Sequence, residues 1–224
     1  MKIKSMIEEL LTLTDEQWGG YAFYHEPLER KLTSEQKLSY TKRAIKCGND
    51  EAMLLREEYP QMTAEEISKE LGFEVKLPLI PSGGGHVIFA QYTEPSEITV
   101  YMDCVKKAED LITSKDLCML FPDTDLKEIL IAHELFHGIE YRKRKEIFTQ
   151  TEKIELWRKP FSNKSRLIAL SEMAAMAFAK KLSGIDFSPY VLDVLLMYSY
   201  NSEAAEALFE EIMEAAGIRD RKEK

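Results

Sequence analysis

Apolar positions recur at helical spacing through most of the chain, and a short central stretch alternates instead. In the first 75 residues the 3.6-residue period predicts helices over Ser5–Leu13, Ser34–Cys47, Asn49–Glu58 and Thr63–Leu71, with Gly72 as a natural stop. A breaker-rich connector, Lys76–Gly85, follows and marks a subdomain boundary. Two strand-like runs come next, His86–Tyr92 and Ile98–Met102, and the five residues between them suit an antiparallel hairpin. Helical patterns then return over residues 104–114, 124–145, 164–183, 189–200 and 202–216, punctuated by Pro122, Pro160, Gly184 and Pro189. The expected fold is α+β and mostly helical, with a small antiparallel sheet. It divides into an N-terminal helical subdomain, 1–75, and a larger domain, 76–224.

Composition narrows this. Ten glycines and eight prolines in 224 residues fall below average use, roughly 7% and 5%, too few for a sandwich of many short strands. Apolar residues at 45% supply a core, and 31% charged residues a solvated surface. The 30 basic and 39 acidic residues leave a net charge of -9. A duplex-binding surface shows a basic excess, so charge argues against nucleic acid as the main partner. Thr63–Val75 has the cadence of the first helix and turn of a helix-turn-helix. Its Glu65, Glu66, Glu70 and Glu74 would oppose phosphates, and an amphipathic helix burying Ile67 and Leu71 is the simpler reading. Glu8 and Glu9 interrupt what would have to be an apolar leader segment. The longest uncharged stretch, Leu77–Thr93, holds two prolines and three glycines and is no membrane helix. Cys47, Cys104 and Cys118 are odd in number and widely spaced, as in reduced thiols. A cytoplasmic protein with no membrane partner is expected.

The chemistry is concentrated in Ile129-Leu-Ile-Ala-His133-Glu134-Leu-Phe-His137-Gly-Ile139. Histidines at i and i+4 leave one helix face about a turn apart, so both imidazoles can reach a single Zn²⁺. Glu134 points about 100° further round the helix, where it can act as general base on a water rather than as a ligand. Two of the chain's four histidines lie in this pattern. Leu126, Ile129 and Leu130 share the histidine stripe, while Ile131 and Leu135 cover the opposite side, so the helix is central. Histidines buried there need polar partners, and a metal is one. Asp123 or Thr124 offers its N-cap.

Leu130–Ile139 resembles the extended HExxH signature of the zincin metallopeptidases. Glu97–Asp103 looks like the edge strand that borders the substrate cleft in that family. Leu170-Ser-Glu172-Met-Ala-Ala175 is similar to the glutamate helix of the gluzincin branch. The resemblance covers about residues 86–183 and implies a zincin-like catalytic domain that cleaves peptide or protein substrates with one Zn²⁺ per chain. It implies His133, His137 and Glu172 as ligands and Glu134 as the catalytic base. The gap from His137 to Glu172 is longer than in thermolysin-type enzymes, Ser171 stands where those often carry Asn, and no histidine follows His137 to suit a metzincin.

Glu140 rivals Glu172 as third ligand, being three residues past His137 on the same stripe. Three ligands from one unbroken helix line up on one side of the metal, which tetrahedral zinc disfavours. Glu172 is the only acid between Lys164 and Ile185 and shares an apolar stripe with Ile168, Ala175, Met176 and Ala179, where a charge needs a partner. Tyr198, Tyr200 and His86 are the candidates for stabilising the transition state, against the plainer readings of core-margin hydroxyls and a solvent-facing imidazole. Two other functions stay open: a repressor-cleaving regulatory protease linked to DNA binding, and a catalytically inactive zinc-stabilised scaffold.

Overall fold

Three threonines decide where the N-terminal helices begin. Thr14, Thr33 and Thr63 are each followed three residues later by Gln17, Gln36 and Glu66, and each pair closes a capping box. The computed structural model describes residues 2–80, 88–157 and 163–219. Its first helices are α1 (Ile3–Leu10), α2 (Asp15–Tyr24), α3 (Ser34–Glu58) and α4 (Ala64–Glu70). Helix α2 has no counterpart in the expected pattern, which assigns nothing between Leu13 and Ser34; the Thr14 box supplies its start. Helix α3 runs unbroken through Gly48, where two helices were expected.

The reason lies across the interface. A Cβ on Gly48 would stand 2.1 Å from the carbonyl oxygen of Ala174 and 2.9 Å from the amide nitrogen of Phe178. Gly48 is a contact point between backbones rather than a helix breaker.

Strands β1 (Glu74–Lys76), β2 (Ala90–Thr93) and β3 (Glu97–Val100) form a sheet of order β1-β3-β2. The expected hairpin is present, with Tyr92 opposite Ile98 in the antiparallel β2/β3 pair. The sheet is nevertheless mixed, because β1 pairs parallel to β3, Val75 opposite Ile98. Strand β3 is therefore central, not the edge. Its Ile98, Thr99 and Val100 are all buried, and a strand in that setting takes partners on both sides. The three-residue β1 is too short to announce itself by alternation. It also occupies the place after α4 where a helix-turn-helix would have its second helix.

The rest is helical: α5 (Met102–Ser114), α6 (Leu126–Arg142), the single turn α7 (Phe148–Thr151), α8 (Ile168–Ser183), α9 (Val191–Tyr198) and α10 (Ser202–Ala215). A small antiparallel pair, β4 (Ile154–Trp157) and β5 (Asn163–Ser165), precedes α8. The cap of α6 is Asp125, not Asp123 or Thr124: its carboxylate accepts from the Glu128 amide at 3.1 Å, while Asp123 takes a left-handed φ of 49°. Among the described residues no helix is long and apolar enough to cross a membrane.

Helix α8 lies between α3 and α6, and residues 1–75 hold it at both ends. No side chain of its own caps its start; buried Glu26 accepts there from the Ala169 amide at 3.1 Å, an acid at the positive end of the helix dipole. At the other end the Arg56 Nε donates to the Leu182 carbonyl at 3.0 Å, and the same guanidinium reaches the Met62 carbonyl. One apolar cluster joins Met6, Leu10 and Phe23 to Phe136, Phe178 and Leu195.

The α3–α8 approach is testable at one position. Ala in place of Gly inside a helix is ordinarily stabilising by about 1 kcal/mol. Gly48→Ala is expected to reverse that sign and destabilise the protein by about 1–3 kcal/mol through overpacking. Urea unfolding with an unchanged slope measures it, and an unchanged or raised midpoint would contradict the packing described.

Candidate metal centre

Helix α6 is apolar on most of its circumference, with Ile129, Ile131, Ala132, Leu135 and Phe136 buried. It is admitted to the interior partly by Gly138, where a Cβ would stand 2.4 Å from the Phe73 ring. That close fit fixes the helix just past the second histidine. The other side of the motif faces α8, and the two helices bring His133, His137 and Glu172 together, their candidate ligand atoms all within 4.8 Å of one another.

The two Nε2 atoms lie 3.1 Å apart. From His133 Nε2 to Glu172 Oε2 is 3.5 Å, and from His137 Nε2 to Glu172 Oε1 is 3.7 Å. Two nitrogens and a carboxylate thus converge, and this group can hold a metal ion. The Glu172 side chain, 43% exposed, opens on the cleft, while His133 Nδ1, the ring nitrogen away from Glu172, is buried with no hydrogen-bond partner among the described residues.

Glu140 stands elsewhere. Its Oε2 accepts from the Ser171 hydroxyl at 2.8 Å and lies 3.9 Å from His137 Nδ1, on the far side of that ring from Glu172. Ser171 Oγ is itself 3.3 Å from His137 Nδ1. Glu140 and Ser171 therefore orient the imidazole from behind, as outer partners of metal-binding histidines do.

Electrostatics follow this geometry. Burial alone acts to lower the His133 pKa, but the Glu172 carboxylate, helped by Glu134 and Asp193, outweighs it and pushes the imidazole up to about 9. Burial acts to raise Glu172, and the two histidines bring it down to about 2. Burial likewise opposes ionisation of Glu140, yet the donors around it, His137 first, hold it below the ordinary carboxylate range. Asp193 on α9 is pushed up to about 7, chiefly by burial. It shares an apolar cavity of about 300 Å³ with His133, Glu134, Leu192 and Leu196.

A larger cleft, about 750 Å³, contains His133, Glu134, His137 and Glu172 together with Ala90, Gln91 and Tyr92 of β2. Among the described residues strand β2 pairs only with β3, so it, in place of the 97–103 segment, is the sheet edge that borders the cleft. No family model, curated protein or solved structure matches the chain. What the site can do follows from its side chains alone.

Neither Tyr198 nor Tyr200 lines the cleft. The Tyr200 hydroxyl donates to Asp103, and Lys107 Nζ sits 3.8 Å from its ring centroid. His86 lies outside the described residues. Tyr141, Arg144 and Arg166 do line the cleft, and sequence reasoning passed over them. Arg144 sits in the basic run after α6 that read as solvated surface. Asp193 was missed as well, being one acid on an otherwise apolar helix.

The pKa directions give a pH prediction for the metal-free protein. His133, raised, contributes stability that is complete below about 6.5 and lost as the pH climbs through about 9. Glu172, lowered, contributes stability that is complete above about 4.5 and lost as the pH falls toward 2. Metal-free Glu172→Gln is therefore expected to show its largest loss of Tm near pH 5–6 and little loss above pH 9. A ligand histidine must shed its proton, so divalent-metal affinity should climb about tenfold per pH unit from about 7 to 9. Metal titrations at several pH values check this, and a flat profile would remove the His133–Glu172 pair from the site.

Proposed function

We propose that the chain is a zinc-dependent metallopeptidase of the gluzincin type, with His133, His137 and Glu172 as ligands and Glu134 as general base. One observation carries the reading: two histidine Nε2 atoms and a carboxylate converge in a cleft that also holds a further buried acid, Glu134. A purely structural zinc site closes around its metal with four protein ligands. Here three protein ligands face open space, which leaves a position for water or substrate.

When bound, zinc supplies Lewis acidity and makes water a nucleophile at neutral pH. Glu134, one residue from His133, leaves α6 at a different angle and takes no part in the ligand set. Its carboxylate accepts the proton of the attacking water and returns it to the departing amide nitrogen as the C–N bond breaks. Ser171 and Glu140 keep the His137 ring from turning. The open side of β2 offers unpaired backbone groups to an extended peptide, so the substrate can lie along Gln91 and Tyr92 as an added strand. Such main-chain pairing favours peptide over other carbonyl substrates.

The test separates ligation from turnover. Purified protein is expected to bind close to one zinc per chain and to cleave members of a peptide library. Glu134→Gln should keep the zinc while turnover falls by about 10²–10⁴-fold; His133→Ala should lose the metal. Full zinc occupancy with no hydrolysis of any peptide would favour the inactive scaffold instead. A Glu134→Gln protein as fast as the parent on a cleaved peptide would remove the base assignment.

A further inference from the structure

The cleft carries both signs of charge. At the end where α6 stops and α8 begins, its wall carries Arg144 and Arg166. Arg43 and Arg219 elsewhere in the molecule pair with carboxylates, and Arg56 and Arg142 are taken up by backbone carbonyls. The two cleft arginines bond only to neutral groups among the described residues. Arg144 donates to the Tyr141 carbonyl at 3.2 Å with its guanidinium 4.6 Å from that ring's centroid. Arg166 donates to the Gln150 side chain. A guanidinium has five N–H donors, so each keeps most of its fork free. Both side chains are exposed to the cleft.

Four acids line the same cleft, Glu94, Glu134, Glu140 and Glu172. None forms an ion pair with the arginines, and Glu140 is buried and committed to Ser171. In a chain of net charge -9, two guanidinium groups left without carboxylates in the cleft point to an anion that arrives from outside.

We infer that Arg144 and Arg166 form a carboxylate clamp, and that the preferred substrates are peptides with an anionic group displaced from the bond that is cut, toward the end of the cleft where α6 stops and α8 begins. The inference rests on the peptidase reading for its substrate class. Arg144 lies two residues past the end of α6 and Arg166 two residues before the start of α8, so both enter the cleft from the loops at that end, displaced from the histidines and Glu172 on the helices themselves. The planar fork of arginine suits the two oxygens of a carboxylate, supplied by a free C-terminus or by an Asp or Glu side chain.

The experiment uses full-length, zinc-loaded Glu134→Gln protein, so that binding is read without turnover. Fluorescein-labelled heptapeptides of one Ala- and Phe-based sequence are compared by anisotropy: C-terminally amidated, with a free C-terminus, and amidated with Glu walked through each position. The clamp predicts that one or both carboxylate classes bind about tenfold tighter than the neutral amide. Arg144→Gln and Arg166→Gln should each erase most of that preference, and leave affinity for the neutral peptide unchanged. Preference for the free C-terminus alone identifies terminal recognition; preference at one internal position identifies an acidic side chain. Equal binding of all three classes, no binding of any, or a preference that survives both substitutions would overturn the clamp. Carboxylate preference without hydrolysis by the parent protein would keep the clamp and end the peptidase reading.

Discussion

At Gly48 the backbone of α3 comes so near the Ala174 carbonyl of α8 that no side chain fits between them. Much of the cleft depends on that approach. Helix α8 must sit deep enough for Ala174, Ala175, Phe178 and Ala179 to be buried, yet leave Ser171 and Glu172 facing α6. The small residues on its buried faces set the depth. Glu26 and Arg56 then fix its two ends from the N-terminal segment. A shift of α8 by even an ångström would separate Glu172 from two histidines that lie 3.5 and 3.7 Å away. Residues 1–75 thus act on the site through the position of one helix, without supplying a ligand.

The polar groups beside this seam are arranged in layers. His133 and His137 face Glu172 across the opening, Ser171 and Glu140 back the His137 ring, and Asp193 shares the apolar cavity behind His133. Burying His133 and Glu140 is tolerable because each has neighbours that favour its charged form, whereas burial pushes Asp193 toward its neutral form. Orphaned atoms remain at His133 Nδ1 and Glu140 Oε1. Glu140 Oε1 belongs to the side chain that backs His137, and His133 Nδ1 lacks the partner that the second nitrogen of a metal-binding histidine usually has.

How much of this the sequence carried depended on range. The i, i+4 histidines and the position of Glu134 are local facts of one helix, legible directly. Glu172 was readable because it is one acid on an apolar stripe, and the same reasoning applied to α9 would have raised Asp193. What escaped were features decided by contact across the fold. Gly48 fell between two expected helices because backbone approach cannot be seen along a chain. Strand β1 has three residues, and only its pairing with β3 makes it a strand. Arg144 lay in a Tyr-Arg-Lys-Arg-Lys run that looked like solvated surface, and only the end of α6 turning beside the start of α8 gives it a cleft to face. The α2 cap was a missed local signal: Thr14 and Gln17 have the same spacing as Thr33 and Gln36.

The arginines enter the cleft from loops beyond the ends of α6 and α8, while Glu134, Glu140 and Glu172 stand on the helices. Glu134, Glu140 and Glu172 surround two imidazoles, a cluster whose charge favours a divalent cation. An arginine placed within about 4 Å of Glu172 would compete for that carboxylate and weaken it as a ligand. Neither cleft arginine forms an ion pair with Glu172, which faces only the two histidines among the described residues, yet the same cleft contains them all. A ligand long enough to span the cleft can meet a cation held by the cluster at one end and the guanidinium groups at the other. The separation lets one cleft hold opposite charges without collapsing them onto each other.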